Sequence, residues 1–131
     1  MRKHKRNILL LIVLLTIACL SCEKFSGDTD SIAGLWHCEE LSSSRRYSVT
    51  ISRSDFDTTN FIIYNFHNLG PEIEIFVKLK DSVITFLNLN TTYTISGKGT
   101  THNSYRTIEW NYSISGNGTN DSYVEAYYSK E

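Results

Sequence analysis

The sequence predicts an all-β fold, an eight-stranded antiparallel up-and-down meander that closes into a small barrel. Three observations carry this expectation. Apolar residues recur with a period of two through almost everything after residue 34, helical spacing is nowhere convincing, and the segments between apolar runs are short and polar. The only proline, Pro71, sits beside Gly70 where a turn is wanted.

The chain before the barrel has a different character. Arg2, Lys3, Lys5 and Arg6 precede an uncharged apolar run over residues 8–20, followed by Ser21 and Cys22, which is the layout of a secretory signal. As a helix that run spans about 20 Å against a bilayer core of about 30 Å, so a permanent transmembrane helix is not expected. A cysteine at the cleavage point marks a lipoprotein signal, because its thiol takes a diacylglycerol and its freed amine a further chain. Leu20-Ser21-Cys22 resembles a lipobox ending, and Cys22 is the expected lipidation site. Cutting at Cys19 instead would leave Leu20 in the mature tail. Each buried lipid CH₂ contributes about 0.8 kcal/mol, so two or three chains attach stably where one is marginal. Residues 1–21 are thus a signal peptide, 22–31 a flexible acidic tether in which Phe25 is the only large apolar residue, and 32–131 the barrel domain. The expected location is the cell envelope, at the outer membrane, on its periplasmic or its exposed side.

Removing the signal changes the charge that matters. Four of the thirteen Lys and Arg residues leave with it and all fourteen Asp and Glu residues stay, leaving nine basic residues against fourteen acidic ones, a net charge of −5. No nucleic-acid partner is expected of such a module. With Cys19 removed and Cys22 acylated, Cys38 has no partner for an internal disulfide, so stability must come from a core. The chain beyond the signal suffices for one domain and not for two.

The expected strands cover residues 35–41, 46–53, 60–67, 72–80, 82–89, 93–100, 105–115 and 122–128. Tyr47, Val49 and Ile51 alternate with Ser48, Thr50 and Ser52, and Ile73, Ile75, Val77 and Leu79 occupy one face of the fourth strand. Ile108, Trp110, Tyr112 and Ile114 do the same in the seventh, and Tyr93 and Ile95 continue into Gly97 and Gly99 on one face of the sixth. Residues 61–66 and 83–89 are apolar on both faces, so their inward sets are not assigned by pattern. Short links join antiparallel neighbours, and pairing the first strand with the last removes two exposed edges. At eight strands the interior is filled by side chains or holds one small ligand.

Gly34-Leu35-Trp36 at the head of the first strand resembles the G-x-W signature of lipocalins and other calycins. The runs Gly-Leu-Trp-His-Cys-Glu-Glu, Tyr-Ser-Val-Thr-Ile-Ser-Arg, Tyr-Thr-Ile-Ser-Gly-Lys-Gly-Thr and Thr-Ile-Glu-Trp-Asn-Tyr-Ser follow in that order, and the whole resembles the small lipocalin-like lipoproteins of Gram-negative bacteria. The resemblance implies that Trp36 plugs the narrow end of the barrel under a stacked cation. Where lipocalins place an arginine, this chain offers Lys130. The expected function is a module that binds a small apolar or amphipathic ligand, with no cofactor, and whose expected partner is the membrane, through the N-terminal lipid. The alternative is a structural or protein-binding envelope lipoprotein with a solid barrel and partner-binding loops, the protein partner being unspecified by the sequence.

Trp36, Tyr47, Tyr93, Trp110 and Tyr112 are the candidate ligand-binding residues, since all five fall on the inward face beside Gly97 and Gly99. The same residues would equally build a packed core. No enzymatic motif appears and no catalytic residue is assigned. His37 and Glu39 point to one face of the first strand and Cys38 and Glu40 to the other, poor geometry for one metal. Cys38 reads as a buried or half-buried structural thiol. His67 and His102 read as surface residues near loops, and Glu72, Glu74, Lys78 and Lys80 as a solvated face.

Overall fold

The computed structural model describes residues 31–131. The expected signal peptide with Cys19 and Cys22, and the expected tether as far as residue 30, lie outside the described residues. Eight strands follow one another: β1 (Gly34–Glu40), β2 (Arg46–Arg53), β3 (Asn60–Tyr64), β4 (Glu74–Lys80), β5 (Val83–Phe86), β6 (Thr94–His102), β7 (Thr107–Gly116) and β8 (Thr119–Lys130). Each pairs antiparallel with the next, and β1 also pairs with β8, so the sheet is a closed barrel in sequence order. This is the expected meander, and its closing ladder sets Trp36 opposite Lys130 and Cys38 opposite Tyr128.

Antiparallel order sorts the connections between two ends. The links after β1, β3, β5 and β7 gather at the upper end, and those after β2, β4 and β6 at the lower end with Ser31 and Glu131. At the lower end Trp36 is fully buried and its Nε1 donates to the carbonyl of Ile32 at 2.9 Å. Lys130 Nζ stands 5.7 Å from the Trp36 ring centroid and donates to the carbonyl of Ser31 at 2.7 Å. Ring, cation and leading segment therefore seal that end together.

Several elements depart from the sequence expectation, each for a local backbone reason. The third strand ends at Tyr64 rather than at residue 67, because Asn65 is left-handed (φ 63) and the chain dips into a short 3-10 turn, Phe66–Asn68. The fifth stops at Phe86 rather than residue 89. Asn88 (φ 49) leaves the sheet and its Oδ1 accepts from Ile95 N–H at 3.1 Å, so a side chain replaces a strand there. The seventh starts at Thr107 because residues 103–105 all have positive φ. The polar stretch 116–121, expected as a loop, is instead a two-residue Asn117-Gly118 turn, both left-handed, that lets β8 run from Thr119 to Lys130.

The structure also assigns the inward sets that pattern left open. Phe61 and Ile63 of β3 and Ile84 of β5 are buried, with Phe86 packed against the core. Trp36, Trp110, Tyr128 and Phe66 are the largest fully buried side chains, so the interior is occupied by rings. The two glycines of β6 make room for them: Gly97 faces Tyr112 and Gly99 faces Trp110. A Cβ on Gly99 would lie 2.8 Å from the indole ring. Gly99→Val should therefore destabilise the fold by about 1–3 kcal/mol, read as a lowered urea midpoint at unchanged slope. An unchanged midpoint would mean that the indole ring has space to retreat.

Candidate functional site

The chemistry of the molecule collects at the upper mouth of the barrel, and its centre is a carboxylate. Alternation along β1 sends Glu40 inward after Trp36 and Cys38, leaving it 1 % exposed. A buried charge must be satisfied by partners, and Glu40 is. Its Oε2 accepts from Ser43 Oγ at 2.8 Å and from Arg45 Nε at 2.9 Å and Nη2 at 2.7 Å. Its Oε1 accepts from Tyr47 Oη at 2.8 Å and lies 2.9 Å from His67 Nδ1. Burial pushes this carboxyl up, but the hydrogen bonds from His67, Tyr47, Ser43 and Arg45 outweigh it and hold the pKa at about 2.

His67 corrects the expectation of a surface residue, for it is 3 % exposed. The left-handed turn at Asn65 swings it inward behind Phe66. Nδ1 also lies 2.7 Å from Tyr112 Oη, and Nε2 lies 2.8 Å from Asp121 Oδ2. A carboxylate oxygen thus lies against each ring nitrogen, and Arg45 Nη2, which can only donate, lies 3.1 Å from Nε2. Glu40, Asp121 and Arg45 surround His67 in one connected polar cluster. Asp121 reaches it through a β-bulge: one extra residue in β8 shifts the register between Tyr112 and Ile114, so Asp121 pairs with Ile114 and shares its inward face.

Beneath the charges lies an aromatic layer. Phe66 is fully buried, with ring centroids 5.4 Å from Phe86, 5.4 Å from Trp110 and 4.8 Å from Tyr112. Trp110 is in turn 5.6 Å from Tyr128. Among the described residues, Trp110 Nε1 and Tyr128 Oη are buried with no hydrogen-bond partner. Desolvation first of all pushes the Cys38 thiol up to about 12 and the Tyr47, Tyr112 and Tyr128 hydroxyls above their ordinary value. At neutral pH these groups keep their protons, so Cys38 presents a thiol and not a nucleophilic thiolate.

No protein-family model, curated protein or solved structure matches this chain. What the barrel can do is therefore argued from its own atoms. Of the five candidate ligand residues, Trp110 and Tyr112 meet at the aromatic layer, and Tyr47 joins them through Glu40. Tyr93 is buried at the upper rim, where its Oη accepts from Asn117 Nδ2 at 3.3 Å. Trp36 belongs to the seal at the other end. Cys38 is buried, as expected, while His37 and His102 are exposed. The residues that sequence reading missed are Glu40, Arg45, Phe66, His67 and Asp121. A signal existed for Glu40, since a carboxylate in register with Trp36 and Cys38 must face the interior. For Asp121 none existed, because the bulge that turns it leaves no mark in the pattern.

Proposed function

We propose that the protein is a cell-envelope lipoprotein of lipocalin-like, calycin-type build, anchored to the outer membrane by acyl chains on Cys22, whose barrel binds a small apolar or amphipathic ligand. The observation that carries this reading is Trp110 Nε1, which among the described residues is a donor without an acceptor in a buried wall of aromatic rings. An unmet buried donor costs about 1–3 kcal/mol, and a site that hydrogen-bonds an acceptor on a bound molecule recovers that loss. The G-x-W position supports the lipocalin-like part, since Trp36 lies under Lys130 as the resemblance implies. The two ends of the barrel then divide the work: the Trp36 end carries the tether and the Glu40 end faces away from the membrane.

A second reading rests on Phe66, which occupies the middle of the lumen. A solid barrel would bind partners at its rim, where Glu40, Ser42, Ser43, Arg45, Asp121, Tyr123 and Val124 line an open depression of about 430 Å³. Native mass spectrometry of the protein isolated from its own envelope separates the two. A ligand-binding barrel should carry a non-covalent adduct under 1 kDa beyond the acyl increment on Cys22, on the order of one drug-sized molecule. A bare mass, unchanged after soaking with a hydrophobic metabolite mixture, would leave the rim reading in possession. A natural N-terminus without acyl chains would overturn the anchor.

A further inference from the structure

We propose that Phe66 is a displaceable plug occupying the ligand site, and that the molecule that replaces it is flat, apolar and carries one hydrogen-bond acceptor. The inference rests on the ligand-binding reading above and names its ligand class and its gate. Phe66 does not belong to the barrel wall: it descends into the lumen from the connection between β3 and β4. Its withdrawal would open a ring-sized space between Phe86, Trp110 and Tyr112, whose faces and edges suit an aromatic guest. Trp110, one of the rings around that space, carries a buried N–H with no acceptor among the described residues, which is why the guest needs one.

The segment that carries the plug is held rather than relaxed. Asn65 (φ 63), His67 (φ 54) and Asn68 (φ 57) are all left-handed, a conformation that Asn and His tolerate better than other L residues but still adopt at a cost, and Asn65 makes no side-chain cap bond to the 3-10 turn itself. What fixes it comes from other elements. His67 is gripped by Glu40 of β1, Tyr112 of β7 and Asp121 of β8, with Arg45 Nη2 3.1 Å from Nε2. Asn65 anchors the base, donating from Nδ2 to Ser48 O at 2.8 Å and accepting the Gly70 N–H at 2.9 Å on Oδ1. A strained segment latched by side chains has two available positions, and a ligand that competes for the space under Phe66 selects the second.

The test uses the full acylated chain in lipid nanodiscs, with protein-free nanodiscs as the partition control, and prodan, a flat naphthalene carrying a ketone, as probe. Closing the site reduces apparent affinity by the open fraction, so Phe66→Ala, which empties the space, should bind prodan about tenfold tighter than the native protein. Asp121→Ala, which loosens the latch and leaves the wall intact, should tighten it in the same direction. The naphthalene analogue without the ketone should bind more weakly to all three. In native protein with a fluorine-labelled phenylalanine at position 66, saturating prodan should move the fluorine resonance to its solvent-exposed position. Equal prodan affinity in all three proteins with an unmoved fluorine resonance would overturn the plug and leave the ligand-binding reading intact. Absence of binding to native protein and to both variants, each folded by near-ultraviolet circular dichroism, would overturn both.

Discussion

Trp36→Ala should destabilise the barrel by about 3–5 kcal/mol, more than any single substitution of an exposed residue. The side chain is fully buried, and its removal leaves a cavity where strands β1, β2 and β8 meet, beside Val49 and Lys130. It also leaves the carbonyl of Ile32 without its donor and Lys130 without the ring it faces. Chemical denaturation of native and variant protein reads the difference directly. Trp36→Phe separates the two contributions: it keeps most of the volume and loses the N–H, so it should forfeit only about 1–2 kcal/mol. Equal losses in the two variants would show that the hydrogen bond, and not the packing, holds the lower end.

The second large effect is a dependence on acid. The Glu40 carboxyl has a pKa of about 2 in the folded protein against an ordinary value of 4.5, so the native state binds its proton more weakly than the unfolded chain does. The stability it contributes is fully present above pH 4.5 and is lost as pH falls through 2. At about 1.4 kcal/mol per pH unit of difference, the loss across that window is about 3 kcal/mol. Glu40→Gln removes the titration. The variant should be weaker than native protein at neutral pH, and its unfolding free energy should fall less between pH 5 and 2. Parallel profiles for the two proteins would refute the assignment of the acid sensitivity to Glu40.

Much of the wall of this barrel was legible in the sequence, because a side-chain period of two is a property of each strand taken alone. β2 runs from Arg46 to Arg53, the residues that alternation selects, and the inward places of Trp36, Cys38, Trp110 and Tyr112 follow the same rule. What escaped depended on backbone events that change the count by one residue. Asn65 turns left-handed within an apolar run and converts the end of an expected strand into the segment that fills the lumen. The bulge in β8 reverses the face of Asp121 and completes a cluster whose members are far apart in the chain. Glu40 lies between these cases: its face was readable, while its partners came from three other parts of the fold.

The Lys130 contact with the Ser31 carbonyl has a mechanical consequence. It clips the leading segment to the last strand just before β1 begins, and β1 is hydrogen-bonded along both sides, to β2 and to β8. Tension applied along the axis of β1 from ahead of residue 31 would load both rows of hydrogen bonds in shear, many at once, instead of unzipping them singly. A tug on the leader would have to rupture the seam of the barrel before it could draw out a strand.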